Sequence, residues 1–174
     1  MNSAKLRQLL LELGIVPEGE RDTPIYIFPS DELRHVWIGL QRGLWAVGDI
    51  TSDQQISRET KANQMPIGAH GLFYCSDAKC FTVPFIIESH PEHRDVSDIW
   101  PGVWHFPFRI RPLGDLGKRI SLSTAKHEWK TLKGVSNITK VLRISGSMAF
   151  VPSWLYASDW QLILQKLSSR TTVA

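Results

Sequence analysis

The sequence has little cysteine, no long hydrophobic run and none of the common enzyme motifs. Its 174 residues include 2 cysteines, and no segment approaches the roughly 20 apolar residues that a membrane-spanning helix needs. Residues 1–13 carry charges inside their leucine pattern and offer no small-residue cleavage site, which argues against a secretory signal. We therefore expect a soluble domain in a reducing cytoplasm, with no membrane partner.

The chain also lacks the motifs that usually announce catalysis or metal binding. It has no glycine-rich phosphate loop, no nucleophile elbow and no zinc-protease helix. Cys75 and Cys80 have no second pair to complete a tetrahedral zinc site. Pro91 turns the chain between His90 and His93, so these histidines are not expected to bind metal either. The sequence predicts no metal, no cofactor and no catalytic residue.

One enzymatic alternative stays open. The run from Arg58 to Lys61 places a base, a hydroxyl and an amine close together, and some small-barrel amidohydrolases use a set of Thr, Lys and Glu. Adjacent residues on an extended loop rarely point at one centre. A base or nucleoside amidohydrolase would use Thr60 and Lys61.

Positive charge is concentrated in the second half of the chain. Residues 88–174 contain 12 Lys and Arg against 7 Asp and Glu, whereas residues 1–87 contain 8 against 10. Basic residues interleaved with aromatics are typical of a surface that binds a phosphate backbone. A solvated helix face would give the same composition, so charge alone does not decide.

Hydrophobic periodicity predicts an α+β domain or a small barrel, because strands and helices do not alternate regularly. Five or six short strands are expected among the segments 25–28, 44–47, 71–75, 81–89 and 103–111, and a pair near 141–145 and 149–151. Pro84 indicates a bulge or an edge position. Helices are expected at 3–13, at 31–42, near 124–132, and after a cap at Ser158 or Asp159. The polar run 48–63 is predicted to be a long loop.

Seven tryptophans are many for this length. Three lie on apolar faces of predicted helices and are expected in the core: Trp37, Trp129 and Trp160. Three lie beside the predicted loop, or on the turn and strand after Ile99: Trp45, Trp100 and Trp104. Trp154 belongs to neither group. Rings beside a pocket can sandwich a flat ligand or cage a methyl group, and they can equally fill a barrel.

A resemblance to a known family separates these possibilities. The segment MPIGAHGLFYCS, residues 65–76, resembles without a gap the part of EVE domains that leads into their Leu-Phe-Tyr-x-Ser strand. Further matches follow in the family's order at Trp45, at 88–92, at Trp104, at 120–122 and at 158–160. EVE domains belong to the PUA-like superfamily, beside the YTH readers of methylated adenine. The segments 25–28 and 107–110 are similar to EVE-like domains of methylation-dependent restriction systems.

Some residues depart from the EVE pattern. Gly68-Ala69 stands where many relatives have Gly-Asp, and Tyr74-Cys75-Ser76 stands where they have Tyr-His-Ser. Glu59-Thr60 replaces an Arg-Asn pair. These changes touch the expected pocket rim and leave the identity of the preferred base open.

The resemblance implies a PUA-like, small twisted β-barrel of five to six strands surrounded by helices. Residues 1–23 would be a helical extension, 24–168 the domain, and 169–174 a tail or the start of a linker. The expected function is to bind nucleic acid and flip a modified base, for example a methylated one, into an aromatic pocket. DNA in a restriction or defence context is preferred, with an RNA reader as the alternative. A nuclease or NTPase module would supply the effector.

The resemblance and the residue chemistry together assign two sets of contacts. Pocket residues that stack on the base or read its edge are expected to be Trp45, Trp100, Trp104, Tyr74, Ser76 and Ser89. Phosphate contacts are expected from Arg109, Arg111, Lys118, Arg119, Lys126 and Lys130.

Overall fold

The computed structural model describes residues 21–48, 52–144 and 148–169, together with Lys5, Leu6 and Leu9; the side chains of 52–56 are excepted. Most of the helix predicted at 3–13 therefore lies outside the described residues, as does the tail from residue 170. None of the described helices combines the length and hydrophobicity that a membrane crossing requires.

The strands of the described residues form one mixed sheet. They are β1 (Arg21–Ser30), β2 (Leu44–Gly48), β3 (His70–Cys75), β4 (Cys80–Ile87), β5 (Asp95–Val96), β6 (Trp104–Pro112), β7 (Arg119–Ser121) and β8 (Ser153–Tyr156). The strand order is β2-β6-β4-β3-β1-β8, with β5 paired to β6 and β7 to β4. Strands β1 and β3 are parallel, and the other pairs are antiparallel.

This topology confirms the α+β class and refines the expected sheet. The pairing runs from β2 at one end to β8 at the other, so the described residues form an open sheet of eight strands. The expected barrel of five to six strands is not what these pairings describe. The sheet also begins at Arg21, three residues before the expected domain boundary at residue 24.

Five helices of the described residues surround the sheet: α1 (Leu33–Arg42), α2 (Ser52–Gln64), α3 (Leu122–Glu128), α4 (Ile138–Leu142) and α5 (Ala157–Leu167). A 3-10 turn follows α3 at Lys130–Leu132. The loop predicted over 48–63 is wrong, because α2 occupies most of it. The prediction failed because α2 is polar and shows little hydrophobic periodicity. A polar contact attaches this helix to β2, since the buried Arg58 guanidinium donates to the Gly48 carbonyl at 2.9 Å.

The sheet separates two hydrophobic cores. The first contains Phe28, Phe73, Phe85, Phe108 and the tryptophans Trp45 and Trp100, and is covered by α1. The second contains Phe81, Leu155, Trp129 and Trp160, and is covered by α3, the 3-10 turn and α5. Trp129 and Trp160 are thus in the core as predicted. The prediction for Trp37 is wrong, since this side chain is 54% exposed on α1.

Two local predictions have opposite outcomes. The bulge at Pro84 is confirmed: Val83 has a φ of 48°, and Val83 and Pro84 together face the single residue Leu72 of β3. The strand pair near 141–145 and 149–151 is wrong. Helix α4 ends at Leu142, its start capped by Asn137, whose Oδ1 accepts from the Lys140 amide at 3.2 Å. The last strand is β8, and residues 145–147 lie outside the described residues.

Candidate nucleic-acid interface

Three tryptophans from separate elements meet at one end of the first core. Trp45 lies on β2, Trp100 precedes the turn 101–103, and Trp104 opens β6. The Trp100 and Trp104 rings lie 5.1 Å apart at 32°. Trp45 stands at 75° to the first and 74° to the second, at 5.6 Å from each. Trp100 and Trp104 thus form two tilted walls, and Trp45 forms a nearly perpendicular floor. We call these three residues the tryptophan cluster.

Each wall of the cluster is fixed by a hydrogen bond. The Trp100 indole N–H donates to the His35 carbonyl on α1 at 2.9 Å, and the Trp104 indole donates to the Pro101 carbonyl at 3.0 Å. Trp45 and Trp100 are each 1% exposed, whereas Trp104 is half-buried. Trp104 therefore forms the outer wall; its hydrogen bond goes to an exposed turn, and its ring packs edge-to-face on His35 of α1 at 5.4 Å.

Gly39 permits this packing, and sequence reasoning did not identify it. A Cβ at this position would lie 2.6 Å from the Leu44 carbonyl oxygen and 3.2 Å from the Trp45 ring. Helix α1 thus approaches β2 more closely than any side chain would allow. A glycine on the apolar face of a predicted helix, one turn before the helix ends at Gly43, is the signal that indicates such a contact.

The structure does not bring the remaining predicted pocket residues to the cluster. The structure corrects the expected position of Tyr74, which lies in the second core with its ring 4.9 Å from Phe81. Ser76 lies in the exposed turn after β3, where its hydroxyl donates to the Ser30 carbonyl at 3.4 Å. The Ser89 hydroxyl accepts from the Arg109 amide at 2.8 Å. Ser89 thus belongs with the basic residues of β6.

An arginine-lined cleft lies along β6. It has a volume of about 420 Å³ and is lined by Arg42, Gly43, Glu88, Arg109, Ile110, Arg111 and Pro112. Arg109 and Arg111 are exposed on one face of β6 while Ile110 between them is buried, as the alternation predicted. The Arg111 Nε donates to Glu88 at 2.6 Å. Arg42, in the last turn of α1, was missed because it is an isolated charge in the sequence.

The other predicted phosphate contacts lie elsewhere on the surface. Lys118 donates to the Ser168 carbonyl at 3.1 Å, and the Arg119 Nε donates to the Leu116 carbonyl at 2.9 Å. Lys126 lies on α3 and Lys130 on the 3-10 turn, and both are exposed. None of these four residues lines the arginine cleft.

The residues considered for amidohydrolase chemistry and for metal binding lie on α2, in the segment after β4 and on the β3–β4 hairpin. Thr60 and Lys61 are consecutive on α2, where neighbouring side chains diverge by about 100°. His93 contacts Glu59 at 3.0 Å and Asn63 at 2.9 Å. Cys75 and Cys80 face each other across the β3–β4 hairpin as free, buried thiols. Within the described ranges, no three His, Cys, Asp or Glu side chains form a group that could hold a metal.

No family model matches the sequence, and no curated protein matches it. Solved structures of YTH domains match the fold. The Toxoplasma CPSF4 YTH domain, in complex with a 7-mer m6A-modified RNA, has a TM-score of 0.54 at 16% identity, covering 88% of this chain and 98% of that domain. The Pho92 YTH domain in complex with m6A gives 0.53 at 13%, covering 91% and 90%. The Mmi1 YTH domain complex with RNA gives 0.53 at 10%, covering 87% and 84%.

These comparisons define the class of the fold. This chain has the α+β fold of YTH domains, with the open mixed sheet described above. At identities of 10–16% the likeness concerns the backbone. The function must therefore be argued from this chain's own residues.

Proposed function

We propose that this chain is a reader of a modified base in nucleic acid, and that the tryptophan cluster receives the base. The observation that carries the proposal is the geometry of the cluster, two tilted walls over a nearly perpendicular floor. Such an enclosure suits a flat ring bearing a methyl group, because the indole faces stack on the ring and attract the polarised methyl. The YTH fold of the chain supports the same function.

The cluster is closed in this structure, and the proposal includes its opening. Successive stacked bases lie about 3.4 Å apart, so two rings that sandwich one base must stand about 7 Å apart. The walls are separated by 5.1 Å. Trp104 is the wall that moves, because Trp100 is fully buried and hydrogen-bonded to α1, whereas Trp104 is half-buried and its indole is hydrogen-bonded to the exposed turn at Pro101. Opening also separates the Trp104 ring from its edge-to-face contact with His35 of α1.

The energetics favour a modified base over an unmodified one. Unstacking a base costs a few kcal/mol, and stacking on an aromatic side chain returns about 1–3 kcal/mol. Phosphate contacts from the arginines of the cleft, Arg42, Arg109 and Arg111, contribute the sequence-independent remainder. A methyl group adds apolar area buried among the indoles, so it changes affinity without changing the phosphate contacts.

The type of nucleic acid and the effector are proposed from similarity to other proteins alone. The EVE-like and restriction-linked similarity favours DNA, and the RNA-bound YTH structures favour RNA equally, so both are compared below. The chain would be a recognition module rather than an enzyme, and a nuclease or NTPase would act as effector. A cytoplasmic location stays a prediction, and so does the amidohydrolase alternative, which turnover of an acylated nucleoside would reveal.

Fluorescence anisotropy tests the proposal. Matched single strands of RNA and DNA and a DNA duplex would carry adenine, N6-methyladenine, cytosine or 5-methylcytosine at one position. We expect one modified form to bind at least tenfold more tightly than its unmodified partner. Trp104→Ala should abolish this preference while leaving affinity for the unmodified strand unchanged.

Trp37→Ala is the matched control, because Trp37 is an exposed tryptophan of α1 outside the cluster. It should retain the preference of the wild type. Equal affinity of the wild type for every modified and unmodified strand would refute the proposal. A preference that survives Trp104→Ala would place the reading site elsewhere.

A further inference from the structure

A second cleft lies beside strand β8, which ends the strand order of the described residues. It has a volume of about 480 Å³ and is lined by Arg21, Lys140, Val141, Arg143, Met148 and Trp154. We call it the Trp154 cleft. It shares no residue with the tryptophan cluster or with the arginine cleft of β6. Its volume is within the range of about 300–1,000 Å³ that is usual for ligand sites.

The sequence of β8 explains why Trp154 faces solvent. Ser153 and Leu155 are buried on either side of it, so alternation along the strand directs the indole away from the core. Trp154 is 45% exposed and pairs with Pro24 of β1. Since β8 ends the strand order of the described residues, this indole stands at the margin of the sheet that they form.

Helix α4 and strand β1 supply the charges. Lys140 lies in α4, Arg143 follows the helix end, and Arg21 begins β1. The lining of the cleft contains these three cations and no carboxylate. Within the described part of the chain none of the three is in an ion pair, whereas Arg111 and Lys166 each have a carboxylate partner. An anion in the cleft would therefore be attracted without displacing a carboxylate of the described residues.

Arg143 holds its position at a conformational cost. Its φ of 51° and ψ of 43° are left-handed, a conformation for which glycine is the usual residue at a helix end. The amide of Arg143 donates to the Thr139 carbonyl, which fixes the backbone there. The lining of the cleft thus includes a residue whose backbone is fixed at the helix end, next to Lys140 of the same helix.

We propose that the Trp154 cleft binds single-stranded nucleic acid, with one base stacked on Trp154 and phosphates beside Lys140 and Arg143. Cations flanking an exposed aromatic ring are the arrangement that binds single strands with little sequence preference. The thioether of Met148 adds a polarisable contact for a base. An acidic peptide would use the cations but not the indole face, so the exposed Trp154 favours the nucleic acid.

This inference stands on the residues of the cleft and does not depend on base reading by the tryptophan cluster. The test measures anisotropy of a fluorescein-labelled, unmodified 12-nucleotide single strand of RNA and of DNA at several salt concentrations. Trp154→Ala should weaken binding by about tenfold, the effect of losing one stacked base. The double variant Lys140→Gln/Arg143→Gln should lower the slope of log K against log salt by about 1.4, about 0.7 for each charge.

Two variants serve as matched controls. Trp37→Ala removes a tryptophan of similar exposure, and Lys133→Gln neutralises an exposed lysine that directly follows the 3-10 turn. Both should bind like the wild type. Unchanged affinity and slope in the cleft variants, at unchanged melting temperature, would overturn the inference. The inference would also be overturned if the control variants lost as much affinity as the cleft variants.

Competition separates the possible ligands. If the strand is the ligand, adenosine monophosphate and an oligo-glutamate peptide should displace it only at concentrations far above those of an unlabelled strand. Displacement by the peptide as effective as that by the strand would overturn the assignment to nucleic acid. Displacement by the mononucleotide at equal concentration would replace the strand with a free nucleotide as ligand. The preference for a modified base, measured on the same cleft variants, reports separately on the tryptophan cluster.

Discussion

Asp159 joins the last helix to the 3-10 turn that precedes it in the chain. Its carboxylate is buried and accepts from the Lys130 amide at 3.0 Å, the Thr131 amide at 2.8 Å and the Thr131 hydroxyl at 2.6 Å. Sequence reasoning gave either Asp159 or Ser158 the role of capping its own helix. The structure shows that Asp159 instead caps a turn 28 residues away.

This arrangement predicts a large stability effect. Asp159→Ala should lower the free energy of unfolding by about 3 kcal/mol, because it removes a charged acceptor and leaves buried amides unpaired. Urea unfolding measures the change. Ser158→Ala is the control, since Ser158 is exposed, and should stay within about 0.5 kcal/mol of the wild type. A similar loss in both variants would contradict the assigned role.

Cys75 gives a prediction for pH. Burial raises the pKa of this thiol from 9.0 to about 12, with Cys80 and Asp77 adding to the effect and Arg119 opposing it. The folded chain therefore holds the proton more tightly than the unfolded chain. This stabilisation is complete below pH 9 and is lost as the pH rises toward 12.

Urea unfolding at two pH values tests this linkage. Between pH 8 and pH 10.5 the wild type should lose about 2 kcal/mol more stability than Cys75→Ala, at about 1.4 kcal/mol for each pH unit above 9. Burial is the largest cause of the raised pKa of both Tyr74 and Cys80 and affects both proteins, whereas Cys75 itself is only the smallest of the three causes for Tyr74. Parallel pH profiles would contradict the account.

Helix α1 is positioned by a close approach rather than by its own sequence pattern. Its end at Gly43 was predicted, and Gly43 has the expected left-handed φ of 63°. Its start depends on Asp77, far away in the chain, whose Oδ2 accepts from the Leu33 amide at 3.1 Å. The face that meets Trp45 and Trp100 is fixed by Gly39.

Substitution of Gly39 tests this positioning. Gly39→Ala should cost about 1–3 kcal/mol of stability, because its Cβ meets a backbone oxygen that cannot rotate away. It should also shift the NMR signals of the Trp45 and Trp100 indoles. Gly48→Ala is the control, since nothing lies within 4 Å of its Cβ, and it should cost less. Equal costs would show that α1 does not depend on this approach.

Elements in which apolar and polar residues alternate strongly were predictable from the sequence. Elements that are mostly polar, or whose residues suit both a helix and a strand, were not. Strand β6 was placed to within one residue because Phe108 and Ile110 alternate with Arg109 and Arg111. Helix α2 was missed because few of its residues reach the core. Helix α4 was missed because its last two residues, Val141 and Leu142, are also typical of a strand.

The candidate site was partly predictable for the same reason. The three tryptophans that meet at one end of the first core were selected from their position near a loop and a turn. Tyr74 was misplaced because adjacent strand residues face opposite cores, and alternation from Phe73 already excluded it. The distribution of basic residues over separate surfaces depends on tertiary packing, which local patterns do not contain.

The molecule as a whole carries a net charge of +3, and its interface charge comes from few residues. Arg42→Gln with Arg109→Gln should weaken binding to modified and unmodified single strands equally. It should lower the salt slope by about 1.4, because two phosphate contacts are lost. Arg34→Gln, on the exposed face of α1, is the control. An unchanged slope in the double variant would remove the arginine cleft from the interface.

The central claim is that the tryptophan cluster receives the modified base, and the seven indole N–H signals in a ¹H–¹⁵N spectrum test it most directly. Trp104 loses its bond to Pro101 if the outer wall opens, whereas the buried Trp129 indole, which has no hydrogen-bond partner among the described residues, serves as an internal reference. Single Trp→Phe variants assign the signals. A strand with the preferred modified base should shift the signals of Trp45, Trp100 and Trp104, and its unmodified counterpart should leave them in place. Shifts confined to Trp154 with both strands would contradict base reading by the tryptophan cluster.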